Sequence, residues 1–387
     1  MKIRLLLYIV SIFSVLNLSC EAGINRSNRT VKFENFTDSA LYPNVDFTFS
    51  NFSESEIRNC RFSSKNRSLN WARTNFEKTK IRNSSFEFAK FNIGSPYSKY
   101  FDTENSCYTG RPSFSHSNLI NVKFNNSEFI SRIGANLGSD WCEAYAVYFY
   151  DTFFKKVSFS GSRFEARVLS DADDMADVGE FYFCNIEQTN FRNITIKSLV
   201  RSSNAPPEGM RFKNCSIKKV SFRDVNMELG ILSSTPTVGE NEELVYGMMF
   251  KDCDISNTEF YKINLKSHNL KNTKLLLFEN CTLRNVSFNF MNYRNITFKN
   301  TIFSSGVNLR SCDISKDDIY NLPNYSAHEM SELDLSSNDL NGIDLSEQNL
   351  KKSKFQNSNL SSANLENADL SGGALRGADL TNAITSF

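Results

Sequence analysis

From Leu335 to Leu380 one position repeats without a break: Leu335, Leu340, Leu345, Leu350, Phe355, Leu360, Leu365, Leu370, Leu375 and Leu380 recur every five residues. A period of five fits neither the 3.6 of an amphipathic helix nor the 2 of a strand. Two positions before most of these centres stands a small residue (Ser353, Ser358, Ala363, Ala368, Ala378), and Asn359, Asn364, Asp369 or Asp379 stands immediately before.

The stretch NSNLSSANLENADLSGGALRGADL therefore resembles the pentapeptide-repeat family, whose pattern is A(D/N)Lxx. The resemblance implies an all-β chain: a right-handed quadrilateral parallel β-helix, or β-solenoid, in which each repeat makes one side of a square coil. The central Leu or Phe and the small residue two before it would face inward, and the other three positions would face solvent. Coils stacked at the ~4.8 Å strand spacing would share one continuous core, with stability a sum of neighbour terms.

Grouped in fours, the same rule extends upstream. Centres fall at Phe47, Phe52, Ile57, Phe62; Phe76, Ile81, Phe86, Phe91; Phe114, Leu119, Phe124, Phe129; and Phe149, Phe154, Phe159, Phe164. They continue at Phe181, Ile186, Phe191, Ile196; Phe212, Ile217, Phe222, Met227; Phe250, Ile255, Phe260, Leu265; and Phe278, Leu283, Phe288, Tyr293. These eight quartets hold 21 of the 34 Phe residues, which explains so much Phe in an otherwise polar chain. Phe298, Phe303, Leu309 and Ile314 make a ninth turn with a one-residue slip. Insertions at 65–73, 94–111, 132–146, 167–178, 199–209, 230–247 and 268–275 each follow a completed turn, so all are expected to leave from one corner as loops. The segment NLPNYSAHEM reads as a last loop before the Leu-rich run.

Lys2, Arg4 and the apolar stretch Leu5–Leu18 read as a signal peptide, too short to span a membrane as a helix. Two processing routes are open: lipidation of Cys20, which follows Leu16-Asn17-Leu18-Ser19, or cleavage after Ala22. Either gives an exported protein, anchored to the cell envelope through a lipid on Cys20 or secreted. The expected organisation is signal peptide 1–22, tether or N-terminal cap 23–45, repeat coils with insertions 46–330, and regular repeats 331–387.

With 44 Lys+Arg against 43 Asp+Glu, the chain lacks the basic field of a nucleic-acid binder, and it is too neutral for the acidic DNA mimicry that shields topoisomerases in the family's cytoplasmic members. Cys184, Cys215, Cys253 and Cys281 take one inward position in four consecutive turns and read as small core fillers, as do Cys60 and Cys312. In-register parallel strands hold such side chains about 4.8 Å apart, beyond good disulfide geometry. Cys107 and Cys142 lie instead in successive insertions and form a candidate disulfide. The acidic run Asp171, Asp173, Asp174, Asp177, Glu180 lacks the glycine and terminal Glu of a calcium loop and reads as a solvated loop. His116, His268 and His328 have no nucleophile or acid at a recognisable spacing and read as surface residues; no cofactor or metal site is indicated.

Insertion aromatics, Tyr100, Tyr108, Trp141 and Tyr145 foremost, form a candidate binding edge, with packing back onto the column as the alternative. The function expected is a non-catalytic scaffold whose loop-lined edge takes a protein or glycan partner. The alternative is a polysaccharide-acting β-solenoid enzyme, which needs convergent carboxylates on one face. Because the repeat runs to Leu380, an uncovered last coil predicts an end-to-end homodimer through the C-terminus.

Overall fold

The computed structural model describes residues 76–93, 112–133, 141–169, 173–201, 207–232, 245–270, 273–289, 291, 296–312 and 314–386, together with the short strands Thr30–Lys32, Glu56–Arg58 and Ser106–Tyr108. The leader and Cys20 lie outside the described residues, as do Cys60 and Tyr100.

The strands form four sheets, of ten, six, seven and four strands, with every pairing between them parallel. Each sheet is one side of the coil, and the register matches centre to centre. On the second side Ile57 pairs with Ile81, Ile81 with Leu119, Leu119 with Phe154, Phe154 with Ile186, and so on to Phe303. Val31 adds a rung below Ile57, so Thr30–Lys32 extends the column into the segment expected to be a tether or cap. On the fourth side Phe91, Phe129, Phe164, Ile196, Met227 and Leu265 stack in order.

Apart from the corner where insertions leave, corners are turned by the residue two after a centre, which takes a left-handed backbone conformation: φ is 49° at Asn83, 56° at Asn126, 53° at Asn214 and 57° at Ser362. That region is costly for most side chains and mildest for Asn, Asp and Gly, which accounts for the polar residues that fill these rungs.

Inside, the Phe centres make two columns of rings. On the first side Phe76, Phe114, Phe149, Phe181, Phe212, Phe250, Phe278 and Phe298 stack with centroids 4.6 to 5.3 Å apart. On the third side Phe86, Phe124, Phe159, Phe191, Phe222, Phe260 and Phe288 do the same at 5.0 to 5.2 Å. The two columns meet edge to face, as Phe212 and Phe222 do at 5.7 Å and 82°. Ring quadrupoles favour this arrangement, and the rings from Phe76 to Phe288 are almost wholly buried.

The small inward position carries a second ladder, of hydroxyls and thiols. Ser117 donates to the Phe76 carbonyl (2.5 Å), Thr152 to Phe114 (2.5 Å), Cys215 to Phe181 (3.1 Å), Cys253 to Phe212 (3.4 Å) and Thr301 to Phe278 (3.0 Å). Cys184, Cys215, Cys253, Cys281 and Cys312 are free and buried, as fillers should be, and each also ties its coil to the one below. Burial pushes the Cys312 thiol up to about 12, so it stays protonated and able to donate.

The insertions differ from the loops expected. Those that fall among the described residues do leave from one corner, between the fourth and first sides, but much of their length prolongs the strands that flank it. Fourth-side strands run to Ile133, Val168, Val200 and Ile231, and first-side strands begin as early as Trp141, Asp173 and Val245. The prolonged strands face each other as a two-sheet flange. Ala166, Val168, Ala176, Val178 and Val200 are buried in it, and Ser198 donates across it to the Ala176 carbonyl (2.6 Å). The alternation of small apolar with polar residues drives this: one face has somewhere to be buried only if the neighbouring insertion is also a strand. At its base Gly209 sits so close to Gly247 that a Cβ would lie 1.8 Å from the Gly247 carbonyl oxygen, so only glycine fits.

Past Phe298 and Phe303 the slip occurs at Gly306 (φ 73°), after which Asn308 bridges to Ser287 and the column continues through Leu309. Helix α1 (Lys316–Tyr320) then precedes the segment expected to be a loop, and that segment contains helix α2 (Pro323–Ser326); together they stand where a first-side strand would fall. Two tyrosines supply bonds such a strand would make, and Asn324 satisfies the second-side backbone at Phe303. Asn324 accepts from the Phe303 N–H (2.6 Å) and donates to its carbonyl (2.6 Å). Tyr320 accepts from the Asp344 N–H (2.8 Å), and Tyr325 donates to the Asp344 carbonyl (2.9 Å). Beyond them, Asp334 bridges to Lys354 and Lys354 to Ala374, coils of twenty residues without insertion.

Candidate functional site

The acidic run is largely strand, not a solvated loop: Asp173–Tyr182 pairs with Trp141–Tyr150, and Asp177 and Glu180 are buried. Their neighbour on the next coil explains this. Arg211 reaches Asp177 Oδ2 at 2.6 Å and Glu180 Oε1 at 2.8 Å, and also contacts Glu208 of its own strand. Tyr182 donates to Glu180 Oε1 (2.9 Å). Burial pushes the Asp177 carboxyl well above the usual range; Arg211 opposes that, and Glu208 and Glu180 reinforce it. Among the described residues no group of three or more His, Cys, Asp or Glu is arranged to hold a metal ion.

A second buried carboxylate, Glu165, lies on the fourth side between Arg132 (2.7 Å) and Arg163. Burial works against its ionisation, but the two guanidiniums outweigh that and hold its pKa below the ordinary value.

Of the candidate binding edge, Tyr145 stands as the Cα partner of Asp177, half-buried on the first side, while Trp141 and Tyr108 belong to the neighbouring strands Trp141–Tyr150 and Ser106–Tyr108. Cys107 and Cys142 are direct Cα partners in those two parallel strands, neighbours along the column but in the same in-register geometry that holds the core cysteines beyond good disulfide distance. The three histidines are at the surface: His116 pairs with Asp151 (2.9 Å), His268 with Glu228 (3.0 Å), and His328 is exposed.

Sequence reasoning missed a set of rings on the outward face of the first side. His116, Tyr150 and Phe183 follow one another on three successive coils with centroids 5.4 Å apart at each step. Tyr148 lies 6.1 Å from Tyr150 and 6.2 Å from Tyr182. The available signal was Phe183 itself, an aromatic at a corner rung where the adjacent coils have Asp151 and Asn214.

A solenoid of four parallel sheets whose coils follow a five-residue rule defines the class. Residues 329–367 and 358–384 match the family model described as pentapeptide repeats, in eight copies, so the C-terminal coils carry that family's repeat. Solved structures similar to it include HetL, a pentapeptide repeat protein involved in heterocyst differentiation regulation from the cyanobacterium Nostoc, at 12% identity over 88% of this chain and 90% of that one, with a TM-score of 0.18. A trypsin-treated form of QnrB1, a plasmid-mediated fluoroquinolone resistance protein, is similar at 15% identity over 64% of this chain and 89% of that one, with a TM-score of 0.22. No curated protein matches the chain.

Proposed function

We propose that this chain is an exported, non-catalytic scaffold whose flange presents a binding edge to a protein or glycan partner. The observation that carries this reading is the stacking of successive insertions at one corner into a continuous two-sheet projection, a surface that a plain coil lacks. The carboxylates support it over the enzyme reading. Asp177 and Glu180 are buried and bound to Arg211, whereas a glycosidase needs its two carboxyl groups open to a sugar. A photo-crosslinking residue at Leu232, exposed on the flange, is expected to capture a specific envelope partner that one at Arg223 on the third side does not; equal capture from both positions, or none from Leu232, refutes the reading. Mass spectrometry of the mature N-terminus tests export and separates a lipidated Cys20 from a free Gly23. Thiol counting tests the Cys107–Cys142 bond: of the eight Cys after Cys20, six free thiols in the unfolded, unreduced chain would show it and eight would remove it.

The C-terminal coil is the second surface in this reading. Asp369, Ala374, Asp379 and Ile384 are bridged to the coil below. Leu370, Leu375 and Leu380 are half-buried and Ile384 is exposed, and Leu370 and Leu375 line an open dish of about 660 Å³. A second copy offers the same square edge, so an end-to-end homodimer is the occupant proposed. Sedimentation at micromolar concentration should find a dimer that Leu380→Glu converts to monomer; a monomeric wild-type chain removes this part of the reading.

A further inference from the structure

We infer that the outward face of the first side is a binding site for a neutral glycan laid along the column, held by His116, Tyr150 and Phe183. Phe183 is the anchor of the argument. It occupies a left-handed corner rung (φ 56°), a conformation costly for an aromatic residue, and it is 51% exposed. Other coils fill that rung with Lys78, His116, Asp151, Asn214, Asp252 or Asn280, so neither the corner nor the core calls for a ring there.

The rings around it make a row rather than a patch. Tyr150 sits between His116 and Phe183 at 5.4 Å from each, one ring per coil, so the row runs parallel to the column axis. That step is comparable with the rise per ring of an extended β-linked hexose chain, which would set successive sugars over successive coils. A hydrogen-bonding pair flanks the rings, His116 Nδ1 lying 2.9 Å from Asp151 Oδ2, and the half-buried Tyr182 adjoins Phe183 in the chain.

This mixture selects the ligand class. A protein partner would be met by a contiguous apolar patch, whereas here Phe183 is the sole large aliphatic or aromatic residue of the row without a polar group. Aromatic faces beside carboxylate, imidazole and phenol groups suit a ligand with C–H faces and hydroxyl edges. The His116–Asp151 hydrogen bond sets polar edges beside the rings that a neutral sugar's hydroxyls can share.

The inference rests on the scaffold reading only in taking the column as non-catalytic, and the crosslinking position at Leu232 involves none of these rings, so either can fail alone. The test is calorimetric titration of the full chain with cellohexaose and with chitohexaose. Phe183→Asn installs the residue that Asn214 and Asn280 already provide at this rung, so the fold is retained while the ring is lost. One of the two sugars should bind the wild-type protein, weakened about tenfold by Phe183→Asn and by Tyr150→Ala and unchanged by Arg223→Ala on the third side. Failure of both sugars to bind, or binding indifferent to both ring variants, overturns the proposal.

Discussion

The Phe coils below residue 312 and the Leu coils above 330 obey the same five-residue rule and hold together differently. In the Phe region each coil from Phe76 to Phe288 contributes rings to two continuous stacks, and insertions follow the first seven turns. In the Leu region every coil is twenty residues, and neighbouring coils are joined by one-residue bridges. A stack of rings in contact above and below fixes register by itself, so the backbone is free to leave the column and return. The Leu region, without such a stack, keeps register through unbroken spacing. The boundary between them is where α1 and α2 replace a strand.

Deleting a ring from the middle of a stack is the most direct way to break this contrast. Phe212 touches Phe181 at 4.6 Å and Phe250 at 4.8 Å, and Phe212→Ala should cost about 3–5 kcal/mol in urea unfolding. Leu375→Ala, in the half-buried last coil, should cost only about 1–2 kcal/mol because part of that side chain is already wet. Equal losses would mean that the stack adds nothing beyond burial.

Arg211 comes next, and belongs to the Phe region alone. Arg211→Met strands three carboxylates and should cost about 3–5 kcal/mol near neutral pH. The pH dependence carries a sign. Asp177 has a raised folded pKa, so its folded form holds a proton that the unfolded chain gives up above about pH 3.9. It therefore draws stability down as pH rises from there until the folded carboxyl also ionises, and Asp177→Asn should flatten that decline. Glu165, with its lowered pKa, acts oppositely: its contribution is present above about pH 4.3 and lost as pH falls through the folded value.

The coil centres were legible because each repeat is local: a Phe or Leu every five residues needs no partner to be recognised, and Phe149, Phe181 and Phe212 fall in register as expected. The flange was not, since Ala166, Val168, Ala176 and Val178 are buried only by one another, across insertions far apart in sequence. Asp177 read as solvated for the same reason, its Arg211 lying on the next coil. The helices were hidden by length, since five- and four-residue helices leave no 3.6 period to see. The row of His116, Tyr150 and Phe183 was equally out of reach, because its spacing exists only between coils.

The boundary itself gives a smaller effect. Tyr320→Phe and Tyr325→Phe each remove one hydroxyl from the backbone of Asp344 at an exposed site, and each should cost about 0.5–1 kcal/mol. The double variant should loosen the Leu coils before the Phe coils. Hydrogen exchange checks this through amide protection at Leu345 against that at Phe250; parallel loss at both would make the column a single cooperative unit instead of two regions joined by the helices.

The smallest effect concerns the one device that both regions share. Cys253 donates to the Phe212 carbonyl at 3.4 Å, and in the Leu region Ser358 donates to the Leu335 carbonyl at 2.9 Å. If the inward position requires only a small filler, Cys253→Val and Cys253→Thr should be equivalent, because the two side chains have nearly the same shape. If it requires a donor, Thr should exceed Val by about 1 kcal/mol, since the hydroxyl restores the bond that Thr152 and Thr301 make on the same ladder. We expect Thr to be the more stable in urea unfolding, because the neighbouring Cys215 thiol, together with burial, holds the Cys253 thiol protonated and so keeps it a donor. A Val variant as stable as Thr would reduce the ladder to packing, and the two regions would then share a shape without sharing a bond.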